Sequence, residues 1–183
     1  MDEKGYEILS SRRVFTGEVF QVDLDTLRLP DGHMREREVV HHPGAVGIVA
    51  LNEDGEVLLV TQYRHAARGF VTEIPAGKLD PGEDPFACAE RELREETGAV
   101  PASMTKIAEF YTTPGYSDER FHLFFAGECR VGERTQGDEE EKDMGVVRVP
   151  LDDAVAMARN GAFEDGKTIA GIILGWLHLR GEP

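Results

Sequence analysis

Three glutamates stand within five residues, Glu92, Glu95 and Glu96, in the run Arg91-Glu-Leu-Arg-Glu-Glu96. On a helix that turns about 100° per residue, Glu92 and Glu96 fall roughly 40° apart and one turn apart along the axis. Carboxylates placed that way repel unless a cation lies between them. Donors that are all oxygen select a hard ion, Mg²⁺ or Mn²⁺, which keeps waters and accepts substrate phosphates as further ligands. The chemistry such a pair would serve is the binding of a cation that in turn takes phosphate oxygens. Glu95 lies further round the wheel, with Arg91 one turn before it and able to pair with it. The competing reading of the run taken alone is a solvated acidic face on an acidic protein.

The elements around these residues must position them. Asp84-Pro85 is a helix start, an N-cap side chain followed by proline at the first helical position, and Gly98 is a stop. Between them Phe86, Ala89, Leu93 and Thr97 share one face and are expected to pack on a sheet, with Glu96 at the border of that stripe. Ala45–Leu51 and Glu56–Tyr63 are nearly continuous apolar runs joined by Asn52-Glu-Asp-Gly55, as in two buried strands of a hairpin. Residues 107–111, 121–129 and 146–149 read as further strands, and 151–158 and 168–179 as helices. Strands and helices alternate without a regular βαβ rhythm, which predicts an α/β fold with a mixed sheet between helices. Upstream, the alternation in 18–29, the turn Pro30-Asp-Gly32 and a second strand over 34–41 form a segment too small for its own core. The punctuation His42-Pro43-Gly44 divides the chain into 1–43, a small N-terminal β segment, and 44–183, the main domain.

Composition narrows the partners. The 183 residues carry 35 acidic and 20 Lys/Arg side chains, a net charge of -15, which argues against a nucleic-acid partner. A small phosphate substrate stays compatible, because a bound cation reverses the local sign. No apolar run reaches membrane-spanning length and the N-terminus lacks a signal-peptide pattern, so the expectation is a cytoplasmic protein with no membrane partner. Cys88 and Cys129 have no metal-type spacing and read as free thiols. His41 and His42 are adjacent on a strand and point to opposite faces, which disfavours a shared metal.

The wider spacing decides between the two readings of the glutamate run. Gly77, five residues, Glu83, seven residues, then Arg91-Glu92-Leu93-x-Glu95-Glu96-x-Gly98 matches the Nudix box at its fixed polar and glycine positions. Seven such matches arise by chance on the order of once in ten million starts, taking roughly one in ten per site. The box spans 77–99, with Ala99 where a bulky aliphatic is usual. The chain therefore resembles a Nudix hydrolase, and the resemblance implies an α/β/α sandwich around a mixed sheet. It also implies Glu92, Glu96 and Glu95 as metal ligands, joined by the carbonyl of Ala76, with Glu83 supporting the loop and Arg91 orienting a helix carboxylate.

A narrower resemblance runs along nearly the whole chain. His42-Pro-Gly-Ala-Val46, Gln62-Tyr-Arg64, Glu73-Ile-Pro-Ala-Gly-Lys-Leu-Asp80 and Asp165-Gly-Lys-Thr168 are similar to the ADP-ribose pyrophosphatase branch. So is Thr113-Pro-Gly-Tyr-Ser-Asp-Glu119, whose Pro114 falls where that branch marks ADP-ribose preference. This resemblance implies Mg²⁺-dependent (or Mn²⁺-dependent) hydrolysis of ADP-ribose to AMP and ribose 5-phosphate, with GDP-mannose or another nucleoside diphosphate sugar as the alternative. A non-catalytic binding module is the alternative from a different class. It implies a homodimer built on the N-terminal strands, and Arg64, Glu73, Pro114, Gly115 and Tyr116 as substrate contacts. Read physically, Arg64 could hold a phosphate bidentately or make a surface salt bridge. Glu73 could accept from ribose or base, or cap its loop, and Tyr116 could border a sugar or base, or pack on its own domain. Phe70 stands near the place of an aromatic that the branch carries before Glu73. The general base is expected in the acidic loop 137–143, with Glu140 the best match from its spacing to the next strand and Glu139 and Glu141 as alternatives.

Overall fold

Alternating side chains in the first forty residues make three antiparallel strands, β1 (Glu7–Thr16), β2 (Gln21–Arg28) and β3 (Met34–His41), with β2 in the middle. The computed structural model describes residues 5–134 and 144–181. By internal packing the chain divides into two units, Met1–Gly44 with Phe110–Arg120, and Ala45–Glu109 with Phe121–Pro183.

In the first unit, the 112–119 loop is zipped to the end of β3. Val40 N–H donates to Tyr116 O (2.7 Å), and Asp118 N–H donates to Val40 O (3.1 Å). Asp118 also accepts from the His42 amide (2.9 Å) and pairs with His41 Nδ1 (2.6 Å). His41 turns its other nitrogen to Asp23, and His42 faces Glu119. These pairings with separate carboxylates account for both histidines.

The second unit holds the core. It contains β4 (Ala45–Asn52), β5 (Glu56–Arg64), β6 (Gly69–Glu73), β7 (Ala76–Lys78), α1 (Pro85–Thr97), β8 (Ala99–Val100), β9 (Ser103–Tyr111), β10 (Arg120–Val131), β11 (Gly145–Pro150), α2 (Leu151–Asn160) and α3 (Gly166–Leu179), β9 and β10 each crossing its boundary. The sheet order is β11-β5-β4-β10-β8, with β6 paired to β5, β7 to β4 and β9 to β10. β10 runs parallel to β4, whereas β5 runs antiparallel to β4, β6 and β11, so the sheet is mixed. β4 is buried along its whole length because both faces are covered. Val46, Ile48 and Ala50 pack in one cluster with Ala89 and Leu93 of α1. On the opposite face, Cβ atoms at Gly171 and Gly175 of α3 would sit 2.9 Å from Ile74 and 2.8 Å from Val49, so glycine lets that helix lie close to the sheet. Helix, sheet and helix make the expected α/β/α layering.

Two local expectations need correction. Phe86 shares the sheet-facing stripe by its spacing but is 41% exposed, meeting Phe124 edge-on at 5.9 Å. It occupies the second position of α1, where the helix has only begun to meet the sheet. The strands β1, β6, β7 and β8 have no counterpart among the strands read from the sequence, since β7 and β8 have three and two residues and β1 is exposed along nearly all its length. Among the described residues, no helix is long and apolar enough to cross a membrane.

Candidate active site

α1 begins and ends as its sequence requires. The Asp84 carboxylate accepts from the Phe86 and Ala87 amides (3.0 and 3.2 Å), and Gly98 takes the left-handed φ of 71° while its N–H donates to Arg94 O. The face so fixed buries Cys88, Ala89, Leu93 and Thr97, and with them Glu92 (8% exposed) and Glu96 (4%). Carboxylates are rarely this buried unless paired or holding a cation.

The chain that meets them is β7. The Ala76 amide donates to Glu96 Oε2 (3.0 Å), which places the Ala76 backbone beside the helix carboxylates. Gly77, its neighbour, lies against Glu92, and a Cβ there would fall inside the Glu92 carboxylate group. The first glycine of the box is thus a packing requirement of the second glutamate: only a residue without a side chain admits Glu92 to this position.

Arg91 ties the set together. Its Nε and Nη2 each donate to Glu83 (2.9 and 2.9 Å), and its Nη1 donates to Glu92 Oε1 (2.7 Å) and Glu95 Oε2 (3.0 Å). Glu83 further accepts from the Asp80 amide (3.0 Å). The Arg91 hydrogen bonds hold the Glu83 carboxyl down at about 2, and the same bonds, donated to Glu83, raise Arg91 above the ordinary guanidinium range. Burial pushes the Cys88 thiol up to about 12 and Cys129 to about 11, so both are inert thiols. Among the described residues no three His, Cys, Asp or Glu side chains already converge as a metal set, with the guanidinium of Arg91 bridging Glu92 and Glu95. The donor chemistry nonetheless fits a hard divalent ion: buried carboxylates at Glu92 and Glu96, Glu95 beside them, and the Ala76 backbone within reach of Glu96.

Arg64, at the end of β5, and Glu73, at the end of β6, are brought together. Arg64 donates from Nε and Nη2 to the Glu73 carboxylate, the shortest contact being 2.5 Å, and Glu73 is only 4% exposed. Burial acts to lower the Arg64 pKa, but hydrogen bonding and charge attraction to Glu73 outweigh it and hold it above its usual range. The pair lines a cleft of about 480 Å³ together with Asp165 and Lys167 at the start of α3. Asp165 caps that helix, accepting from Thr168 N (2.8 Å) and Thr168 Oγ1 (2.7 Å) and pairing with Lys167 (2.5 Å). Burial acts to raise the Asp165 carboxyl, but its Lys167 and Thr168 partners bring it below the usual range. The contacts of Lys167 and Thr168 with Asp165 are local to the motif 165–168; the bond from the Ile74 amide to the Thr168 hydroxyl, 94 positions away, is the one that no spacing shows.

Pro114, Gly115 and Tyr116 belong to the first unit, in a turn where Thr113 O accepts from the Tyr116 and Ser117 amides (3.2 and 3.0 Å). The Tyr116 ring is 59% exposed, so it is not packed away in its own unit. Phe70 is 63% exposed on β6 and meets Tyr63 edge-on. Glu140, with Glu139 and Glu141, lies outside the described residues.

A family model described as NUDIX domain matches residues 41–171. An ADP-ribose pyrophosphatase of Bacillus subtilis (strain 168) is 38% identical over 164 residues, 90% of this chain and 89% of the relative. One from Mycobacterium tuberculosis (strain ATCC 25618 / H37Rv) is 37% identical over 174 residues, 94% and 84% of the two chains. A solved structure described as an ADP compounds hydrolase superposes with a TM-score of 0.83, covering 97% of each chain at 24% identity, which shows the same fold.

Proposed function

The chain belongs to the Nudix family, as a hydrolase of pyrophosphate bonds, and on that premise we propose that it cleaves the diphosphate of ADP-ribose, or of a closely related nucleoside diphosphate sugar. From ADP-ribose the products are AMP and ribose 5-phosphate. The observation that carries this reading is the buried pair Glu92 and Glu96, one helical turn apart, with Ala76 bonded to Glu96 and Gly77 making room for Glu92. Relatives at 37–38% identity that bear the name ADP-ribose pyrophosphatase supply the substrate class.

A divalent cation, Mg²⁺ by preference and Mn²⁺ in its stead, would be held by Glu92, Glu96, Glu95 and the Ala76 carbonyl. When bound it polarises phosphoryl oxygens and lowers the pKa of water. The chain's own residues do the remainder. Arg91 fixes the Glu92 and Glu95 carboxylates against repulsion, and Glu83 in turn fixes Arg91. Arg64, held by Glu73, presents its guanidinium at the cleft for phosphate or sugar oxygens. The assignment of Pro114, Gly115 and Tyr116 as substrate contacts rests on the family resemblance alone. We assign proton abstraction from the attacking water to Glu140, because the helix glutamates are committed to the cation. The water oxygen bonds to one phosphorus, the bridging P–O bond breaks, and the second phosphate leaves with the electron pair.

The test is a panel of nucleoside diphosphate compounds incubated with Mg²⁺, with products identified by mass. ADP-ribose is expected to give AMP and ribose 5-phosphate. Faster turnover of GDP-mannose reassigns the substrate, and no turnover of any compound with Mg²⁺ or Mn²⁺ returns the chain to a binding module. In the same assay Glu140→Gln is expected to lose roughly 10²–10⁴-fold in kcat with KM kept; an unchanged kcat places the base elsewhere.

A further inference from the structure

Between β6 and β7 the chain runs Glu73-Ile-Pro-Ala76, and Pro75 has no N–H, so the Ile74–Ala76 stretch has two backbone donors. One, from Ala76, goes to Glu96 Oε2 (3.0 Å). The other, from Ile74, goes to the hydroxyl of Thr168 (2.9 Å), a residue 94 positions away on α3. Thr168 is fully buried. Its hydroxyl proton is directed to Asp165 Oδ2 (2.7 Å), which leaves an oxygen lone pair aimed at Ile74. Pro75 O is held by the Ile48 amide (2.8 Å), and the Ile74 side chain is itself fully buried, its Cδ1 filling the space left by Gly47 and Gly171. Both of these amides, the Pro75 carbonyl and the Ile74 side chain are therefore held, and the clamp on the Ile74 amide comes from α3.

We propose that Thr168, oriented by Asp165, is a positioning residue for the catalytic centre: it sets the bridge so that Ala76 meets Glu96 and offers its carbonyl to the cation. This rests on the Nudix reading of Glu92 and Glu96 as cation ligands. A buried amide that loses its acceptor must turn elsewhere or stay unpaired at a cost. Ile74 cannot turn without moving Ala76, two residues on. Thr168→Val removes the acceptor with the shape retained, whereas Thr168→Ser keeps the hydroxyl.

Three readouts test it on the full chain: hydrogen exchange at the Ala76 amide by NMR, Mn²⁺ affinity by EPR without substrate, and kcat against KM. Thr168→Val is expected to speed Ala76 exchange and to weaken the Mn²⁺ Kd and lower kcat by about tenfold or more, the scale at which supports of metal ligands act. Thr168→Ser is expected to restore all three to within about twofold of the wild type. A folded Thr168→Val protein with wild-type Ala76 exchange, or a wild-type Mn²⁺ Kd, overturns the proposal and leaves Thr168 a helix-cap residue. Should Thr168→Val fail to fold, Asp165→Ala, which removes the acceptor of the Thr168 hydroxyl, decides on the same readouts. Faster Ala76 exchange in that variant supports the relay, and unchanged exchange overturns it. A wild-type chain that binds no Mn²⁺ defeats the functional reading instead, while the exchange experiment still judges the relay.

Discussion

At the scale of single residues, charge balance around Arg91 decides the chemistry. Glu83 gives both its oxygens to one guanidinium, which frees a single nitrogen of Arg91 to steady Glu92 and Glu95. The Glu83 carboxyl, held at about 2 chiefly by Arg91, lies below the ordinary Glu value near 4.3. A depressed folded-state pKa contributes stability that is fully present above the unfolded value and is lost as pH falls through the folded one. The window here runs from about 4.3 down to about 2. Urea unfolding at stepped pH is therefore expected to show the wild type losing stability across that window relative to Glu83→Gln, whose amide does not titrate. Parallel pH profiles for the two proteins would show that the Arg91–Glu83 pairing is not formed in solution. Kinetics add a second expectation at this scale, a milder loss of turnover in Glu83→Gln than removal of a ligand carboxylate would give, since the amide oxygen still accepts one hydrogen bond from Arg91.

At the scale of elements, the site is one helix face read against one short strand. The helix was legible in the sequence because its determinants are local: the Asp84-Pro85 start, the Gly98 stop and the apolar stripe all act within one or two turns. The burial of Glu96 also followed from its place beside that stripe. β7 was not legible, since three residues carry no periodicity, and neither was the Arg64–Glu73 pair or the Thr168 clamp. Those contacts are made by tertiary packing between segments with no local signature of one another. Gly77 shows the difference well. The box spacing marks it as required, but only the approach of β7 to α1 shows that the requirement is room for a carboxylate. Gly77→Ala is accordingly expected to displace Glu92 or β7 and to lower kcat by at least about tenfold, as for a group that misplaces a metal ligand, while far-UV circular dichroism stays native. Wild-type turnover in Gly77→Ala would mean that the strand and Glu92 part easily, and that the glutamate's position is not set by this contact.

At the scale of the molecule, the first unit poses a separate energetic problem. Its three-stranded sheet leaves Ile8 (63%), Phe15 (51%) and Met34 (47%) exposed, as the turn between β1 and β2 leaves Val19 (49%), among other large apolar side chains. Three strands need a covered apolar face to be stable on their own, which gives these side chains a reason to meet a partner. The sequence expectation of a homodimer follows from the same shortage, seen there only as strands without a core. A second copy is the economical cover, because a two-fold axis lets one patch bury its own equivalent. Charge sets a condition on this. At -15 per chain, two copies repel at long range, and the repulsion is screened beyond about 8 Å at physiological salt. An interface of apolar contacts should thus tighten as salt rises, the opposite of one held by ion pairs. Light scattering at micromolar concentration is expected to give a dimer whose dissociation falls with added NaCl, and Phe15→Glu is expected to shift it toward monomer with the second unit still folded. A wild-type monomer with full activity would sink the dimer, and a dimer that loosens with salt would move the interface from these apolar strands to the charged side chains around them.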